Sequence, residues 1–443
     1  MPRLLIRLLT IYLISGLTPA FAQEGDQQQA PQDASWPRWR GPRGDGTWNA
    51  PRLSDTWPES GLIRHWSTPV GGGYAGVTAV RGAVFVLDRE TGPLDPKTSR
   101  PNPKNETERL HCLDAATGRT IWSHAWPQPY GDLNYGSGPR AAATVHEDFV
   151  FVLGALGQLR CVRFRDGTLI WKHDLVREFG GRPPTWGYAA SPLVFGETVI
   201  VQTGSPDGFS LMAFALKTGR VIWHSLRDQA GYSCPVPIRR SAAKNTELVL
   251  WTPSHVRGLN ADSGKPLWEI PYKVSEGVSI ATPIIHNDIA LVCGYWEGSR
   301  AIRLGTQPGE ATLLWENRLL RGLMSQPLFR DGNVFLLDRR DGIVCFELQT
   351  GRKLWDDANA LTPRGRDPQA SFVWTGNADQ ILALNSEGEL VLAQFAASGY
   401  REQARAKIID PTWAHPAFVG NRVFARSDSQ IVCIELPVAN RCR

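Results

Sequence analysis

The chain has 443 residues, 42% of them hydrophobic and 21% charged, with a formal net charge of +5. This length allows a large core or many repeats, and the weak, dispersed charge excludes the concentrated basic field of a nucleic-acid binder. Cysteines at positions 112, 161, 234, 293, 345, 433 and 442 show neither CxxC nor zinc-type Cys/His spacing, which excludes a sulfur-ligated metal site.

Met1-Pro2-Arg3-Leu4-Leu5-Ile6-Arg7 opens the chain with a basic start, an apolar run reaches Leu17, and Ala20-Phe21-Ala22 forms a small-x-small cleavage site. By pattern, residues 1–22 are a secretory signal peptide, shorter than a span of about 20 apolar residues needs. Cleavage is expected to release an exported, periplasmic or secreted chain with no transmembrane segment and no lipid-acceptor Cys. Without Arg3 and Arg7 its formal charge falls to +3. Residues 23–35, rich in Gln, Ala and acid, read as a disordered leader. Residues 36–61 hold a Trp-rich segment that needs a surface on which to bury its indoles, so it is expected to pack on the domain that follows.

From Leu62 onward one unit repeats. Its clearest copy is His111-Cys112-Leu113-Asp114-Ala115-Ala116-Thr117-Gly118-Arg119-Thr120-Ile121-Trp122: a strand, a Gly turn and a strand closed by Trp. The unit returns at 161–171, 213–223, 258–268 and 345–355, with weaker copies ending at Trp66 and Trp315. The tryptophans at 66, 122, 171, 223, 268, 315 and 355 are spaced by 56, 49, 52, 45, 47 and 40 residues. Four short strands and their turns, about 40 to 50 residues per propeller blade, fit those intervals. Cys112, Cys161, Cys345 and Cys433 share one strand position, which reads as a buried small residue rather than as disulfide partners.

A seventh unit, from Phe372 to about Ile409, has lost its Trp, and an eighth begins at Trp413 but ends after Leu436 without an outer strand. Leu62-Ile63-Arg64-His65-Trp66 is an outer strand with no blade before it. The fold is therefore expected to be all-β: an eight-bladed β-propeller over residues 62–436, closed by its N-terminal strand, with a tail at 437–443. Closure removes two strand edges that would invite aggregation.

The segment Leu113 to Trp122 closely resembles the repeat of the pyrroloquinoline quinone (PQQ)-type propeller superfamily. The resemblance implies that each Trp packs between adjacent blades and that the Gly turn admits backbone close to it. Trp36-Pro37-Arg38-Trp39-Arg40-Gly41-Pro42-Arg43-Gly44-Asp45-Gly46 also resembles a bacterial group of secreted PQQ-like repeat proteins. In size and repeat the chain is similar to the propeller subunit of the outer-membrane β-barrel assembly machinery, from which the missing lipid-acceptor Cys departs.

Loop lengths locate the candidate site. Turns within the first and second strand pairs are short, as at Arg81-Gly82, Thr218-Gly219 and Thr350-Gly351. The connections on the other face, Trp126 to Arg140, His173 to Tyr188, Trp355 to Phe372 and Arg89 to Arg109, are long. Long loops on a rigid ring are where binding sites are usually built. Aromatic candidates at inner-strand starts are Tyr74, Tyr135, Trp186, Tyr188, Tyr232, Phe372, Trp374 and Trp413, with Asp88, Arg89, Asp338, Arg339 and Arg140 as polar neighbours. The competing assignment has the rings packing between blades and each Asp-Arg pair bracing a hairpin.

Two functions follow. One is a non-catalytic binding or scaffold propeller whose looped face grips a protein or polymer partner, with a small planar ligand as a variant. The other is a PQQ-dependent alcohol or sugar dehydrogenase using Ca²⁺. That chemistry needs a planar pocket, a hard cation and a carboxylate base, whereas the sequence has no adjacent Cys-Cys pair and no acid-amide metal motif; Asp45, between glycines, reads as a turn. No metal site is assigned and no cofactor is required by the first reading. Neither GxSxG nor HExxH occurs.

Overall fold

In most blades the middle two strands read as continuous apolar runs, such as Phe149–Leu153, whereas outer strands alternate, such as Val221–Ser225. A strand covered on both faces needs apolar residues throughout, and one covered on a single face needs every second residue. This is the pattern of sheets stacked face to face around a ring. The computed structural model describes residues 35–93, 102–240, 246–322, 324–365 and 367–439. The expected signal peptide, residues 23–34 of the leader and the end of the tail with Cys442 lie outside the described residues.

Among the described residues, thirty-two strands form eight four-stranded antiparallel sheets, with one short α-helix, Leu175–Phe179. Blades 1 to 7 span residues 78–127, 144–174, 193–225, 236–271, 284–317, 328–356 and 370–407, each with strands a to d in chain order from the channel outward. Blade 8 has three strands from residues 417–435, and Ile63–Pro69 supplies the fourth, pairing antiparallel so that Trp66 lies opposite Cys433. The fold is the expected eight-bladed propeller with the expected N-terminal closure. Its core lies between blades: one cluster runs from Val84 and Val86 of blade 1 through Phe424 and Val432 of blade 8 to Leu382 and Leu392 of blade 7.

The docking tryptophans explain the repeat. Each sits on strand d opposite a small residue of strand c, Cys112, Cys161, Ala213, Gly258, Ala301, Cys345 or Cys433. Five indoles donate Nε1–H to a carbonyl of the next blade, Trp66 to Ala115 (3.1 Å), Trp122 to Phe164 (3.0 Å), Trp171 to Leu216 (2.9 Å), Trp315 to Leu348 (2.8 Å) and Trp355 to Ala396 (3.0 Å). In four of the five a turn glycine three residues after that carbonyl lies against the ring, as Gly219 over Trp171, where φ is +70° and a Cβ would lie 2.7 Å from the indole; Gly399, three residues after Ala396, does not cover Trp355. Only glycine meets both demands. Trp223 lies under Gly264 in the same way, but its Nε1 has no acceptor among the described residues.

Trp268 departs from the docking pattern. It is buried, but its indole donates to Glu247 of its own blade. Gly258 opposite leaves room for that orientation, and Glu247 is fixed by Arg240 through two bonds of 2.9 and 3.0 Å. The following turn, Gly305 to Glu310, places no glycine over the ring. The six described cysteines are free, buried thiols, in line with their reading as packing residues.

Residues 36–48 lie across the central channel. Trp36 exchanges backbone bonds with Ala79 of blade 1 (2.6 and 3.0 Å), Pro37 O accepts from Val145 N of blade 2 (2.8 Å), and Trp48 N donates to Trp374 O of blade 7 (2.8 Å). Trp36 and Trp48 both pack on Phe418 of blade 8 with ring centroids 5.0 Å apart. The segment thus buries Trp36 and Trp48 inside the ring.

Candidate functional site

Entry into each inner strand follows one local pattern. In extended chain successive side chains alternate, and each blade is preceded by a triplet whose middle residue is buried: Ala75, Ala141, Ala190, Ser233, Ala281, Ser325, Pro368 and Ala414 for blades 1 to 8. The residues just before them, Tyr74, Arg140, Ala189, Tyr232, Ile280, Met324, Asp367 and Trp413, all line one cavity of about 350 Å³ on the looped face. One side chain per blade therefore forms a ring. From blade 7 through 8 and 1 to blade 2 it carries Asp, Trp, Tyr and Arg; blades 3, 5 and 6 supply Ala, Ile and Met.

Further residues complete the funnel. Tyr135 and Trp186 come from the long connections, Tyr295, Trp296 and Arg339 from the hairpins of blades 5 and 6, and Trp39 from the channel segment. Tyr74 and Tyr135 each lean on Trp413 at 5.7 Å, and Trp186 pairs with Tyr232 at 5.9 Å. Such tilted contacts leave ring faces open to a guest. Trp39 closes the inner end, its Nε1–H donating to Thr282 Oγ1 (3.2 Å) and its ring lying 4.4 Å from that of His415.

The electrostatics are uneven. Arg140 donates to the carbonyls of Gly138 (2.7 Å), Asn134 (3.0 Å) and Tyr135 (2.5 Å), has no bonded carboxylate among the described residues, and is held below its ordinary value by burial. These bonds also hold Tyr135 at φ +51°, a conformation that costs a non-glycine residue energy. Arg339 lies over the Tyr295 ring at 4.7 Å, and Tyr295 Oη donates to Asp367 (2.9 Å). Burial and nearby Arg40 push the His415 imidazole down to about 3, so it is neutral, and burial pushes the Cys234 thiol up to about 11.

Of the candidates read from sequence, Tyr74, Tyr135, Arg140, Trp186, Tyr232, Trp413 and Arg339 converge on this cavity. The structure places the others elsewhere. Asp88 is fully buried and accepts from Gly71 N (2.6 Å) and Arg109 (2.8 and 2.9 Å); its carboxyl is held well below the usual range by His111 and Arg109, against the effect of burial. Arg89 pairs with Glu106 (2.6 Å), lies 4.2 Å over Tyr130 and donates to Gly136 O, so it braces the loop that carries Tyr135. Tyr188 is buried, with its hydroxyl on Thr203 O (2.6 Å). Phe372 and Trp374 pack between blades 6 and 7, and Asp338 accepts from the backbone of Arg321 (2.7 Å) and Arg340 (2.8 Å).

Sequence reasoning missed Trp39, Tyr295, Trp296, Asp367 and His415. The readable signal was the triplet before each inner strand, often closed by Pro: Tyr232-Ser233-Cys234-Pro235, Met324-Ser325-Gln326-Pro327, Trp413-Ala414-His415-Pro416.

The donor set can be tested against a calcium-bound quinone. Calcium takes six to eight oxygen ligands. Asp367 is the single carboxylate among the described lining residues, and the amide oxygens of Gln326 and Gln369 already accept from Thr282 N (2.7 Å) and Ser325 Oγ (3.1 Å). Nowhere among the described residues do three His, Cys, Asp or Glu side chains converge. The aromatic walls suit a planar ring, but the residues do not fit the cation that would polarise it.

The fold and its repeat define an eight-bladed β-propeller of the PQQ-like type. The chain belongs to the family described as outer membrane protein assembly factor BamB, which it matches over residues 106–357 and 254–441. It is similar to the crystal structure of BamB from Moraxella catarrhalis, with 14% identity and a TM-score of 0.58 over 86% of this chain and 99% of that one. It is equally similar to the quinohemoprotein alcohol dehydrogenase of Comamonas testosteroni, at 11% identity and a TM-score of 0.59 over 94% and 82%. A curated relative, the tetrathionate hydrolase of Acidithiobacillus ferrooxidans, is 23% identical over 215 residues, which are 44% of this chain and 39% of that protein's length. At these identities the structural likenesses establish the fold alone.

Proposed function

We propose that the protein is an exported, non-catalytic binding propeller that holds a segment of a protein partner in the funnel on its looped face. The observation that carries this reading is the ring of one side chain per blade converging on a 350 Å³ cavity. That volume takes an anchor side chain or two, and aromatic pockets with a neighbouring Arg are where interface energy concentrates. The ring sets Asp367, Trp413, Tyr74 and Arg140 side by side and gives the other blades Ala189, Tyr232, Ile280 and Met324, so a guest side chain would enter in a preferred orientation. Kinship with an assembly factor supports a protein as the guest. Export rests on the basic, apolar and small-x-small succession of residues 1–22; no helix among the described residues is long and apolar enough to cross a membrane.

The dehydrogenase reading requires a cation site that the lining does not supply. Titrating the mature protein with PQQ, with and without Ca²⁺, separates the two by tryptophan fluorescence and dye-linked alcohol oxidation. The binding reading expects no Ca²⁺-dependent turnover. Saturable, Ca²⁺-dependent quinone binding with dye reduction overturns it.

A further inference from the structure

On the rim opposite the funnel a second, larger basin of about 960 Å³ opens between the channel segment, residues 236–240 of blade 4 and the short turns of blade 5. Its existence traces to blade 4. The inner strand there, Val236–Ile238, is half-exposed along its whole length, whereas every other inner strand buries at least its first residue. The channel segment runs along blade 7 at this level and leaves the blade 4 side unfilled.

The charges lining the basin do not balance. Five arginines, at 40, 43, 239, 240 and 303, face it with two aspartates. Arg43 pairs with Asp45 (3.1 Å), Arg303 with Asp288, and Arg240 with Glu247 (2.9 Å) behind the wall. Arg40 and Arg239 are left without a carboxylate among the described residues. Arg239 is exposed, but Arg40 is only 8% exposed, and an unpaired buried guanidinium is costly. It donates to Gln326 Oε1 (3.3 Å), Asp45 O (2.7 Å) and Pro327 O (3.3 Å), and its Nε has no acceptor among the described residues. The contrast is Arg426, fully buried, which lines neither cavity and spreads its Nε and both Nη over carbonyls.

We infer that this basin binds a phosphate-type oxyanion, free or carried on a headgroup, between Arg40 and Arg239. Several guanidinium forks around one cavity suit a tetrahedral anion, which offers more acceptor oxygens than a carboxylate. The site lies on the other rim from the partner funnel and stands or falls independently of it.

The test uses the full chain and two probes, inorganic pyrophosphate and vesicles of phosphatidylglycerol with phosphatidylcholine vesicles as control, at low ionic strength. Pyrophosphate is expected to bind saturably by calorimetry. Arg239→Ala, which removes no described contact, should weaken it about tenfold and Arg40→Lys by at least as much, while Arg318→Ala on the looped face leaves it unchanged. Selective binding to phosphatidylglycerol with the same variant pattern, but none to pyrophosphate, assigns the oxyanion to a headgroup. No saturable binding of either probe, or binding that Arg239→Ala and Arg40→Lys leave intact, overturns the inference.

Discussion

The docking tryptophans and the funnel aromatics are both large rings repeated around the same propeller, yet they behave oppositely. Most docking indoles meet one environment: a small residue behind, a glycine above, a carbonyl of the next blade at about 3 Å. The funnel positions share a backbone location but carry eight side chains of which only tyrosine recurs. Where every blade makes the same packing demand, the sequence repeats. Where the ring must present a shaped surface, it varies.

That contrast sets the size of the expected effects. The largest is on closure: deleting residues 62–69 strips the outer strand from blade 8 and bares an edge, so the chain should aggregate or lose about 10 °C or more in Tm. A truncated protein with unchanged melting would remove closure from the account. Next, Trp223→Ala should cost about 3 to 5 kcal/mol in urea unfolding, since the indole is buried between blades. Gly219→Ala should cost about 1 to 3 kcal/mol through the positive φ and the contact with Trp171; a neutral effect would mean that the turn is not held against the ring.

Acid sharpens the comparison from the funnel side. The folded value of His415 lies near 3, below the unfolded value of about 6.5, so only the unfolded chain takes the proton between them. Stability should therefore fall as pH drops from about 6.5 toward 3, and His415→Gln should flatten part of that loss in urea midpoints measured across the window. Smallest of all, Trp186→Ala should cost under about 1 kcal/mol, because the funnel's open rim asks little of it structurally, and Arg140→Ala, which frees the carbonyls of Gly138, Asn134 and Tyr135, about 1 to 2 kcal/mol. Losses like that of Trp223→Ala would move these residues from the binding surface into the packing.

Much of this was legible before the structure. The Trp spacing gave the blades, the stray strand at Leu62 matched the strand missing after Leu436, and loop lengths picked the face on which Tyr74, Arg140 and Trp413 meet. What escaped has physical reasons. Trp268 looks regular in sequence, but Gly258 and Glu247 redirect its indole, and neither residue announces that alone. Asp88-Arg89 and Asp338-Arg339 look equivalent; Glu106 draws Arg89 into a brace, while Tyr295 and Trp296 draw Arg339 to the cavity. Tyr188 lies two residues from Trp186, yet its hydroxyl finds a carbonyl and the ring joins the core. Trp39 reaches the funnel through a long-range crossing of the channel that no local pattern encodes.

The measurement closest to the central claim is site-specific photo-crosslinking in the native host, with a benzophenone amino acid at position 135 or 413 on the funnel and at 218 or 350 on the opposite rim. Tyr135 is 47% exposed at the mouth, and Thr218 and Thr350 are exposed in short turns, so all three rim positions are open to a neighbour. The account predicts one discrete protein adduct from 135 and 413, lost on adding Arg140→Ala, and none from 218 or 350. Adducts of the same partner from the short-turn rim, with the funnel silent, would contradict it.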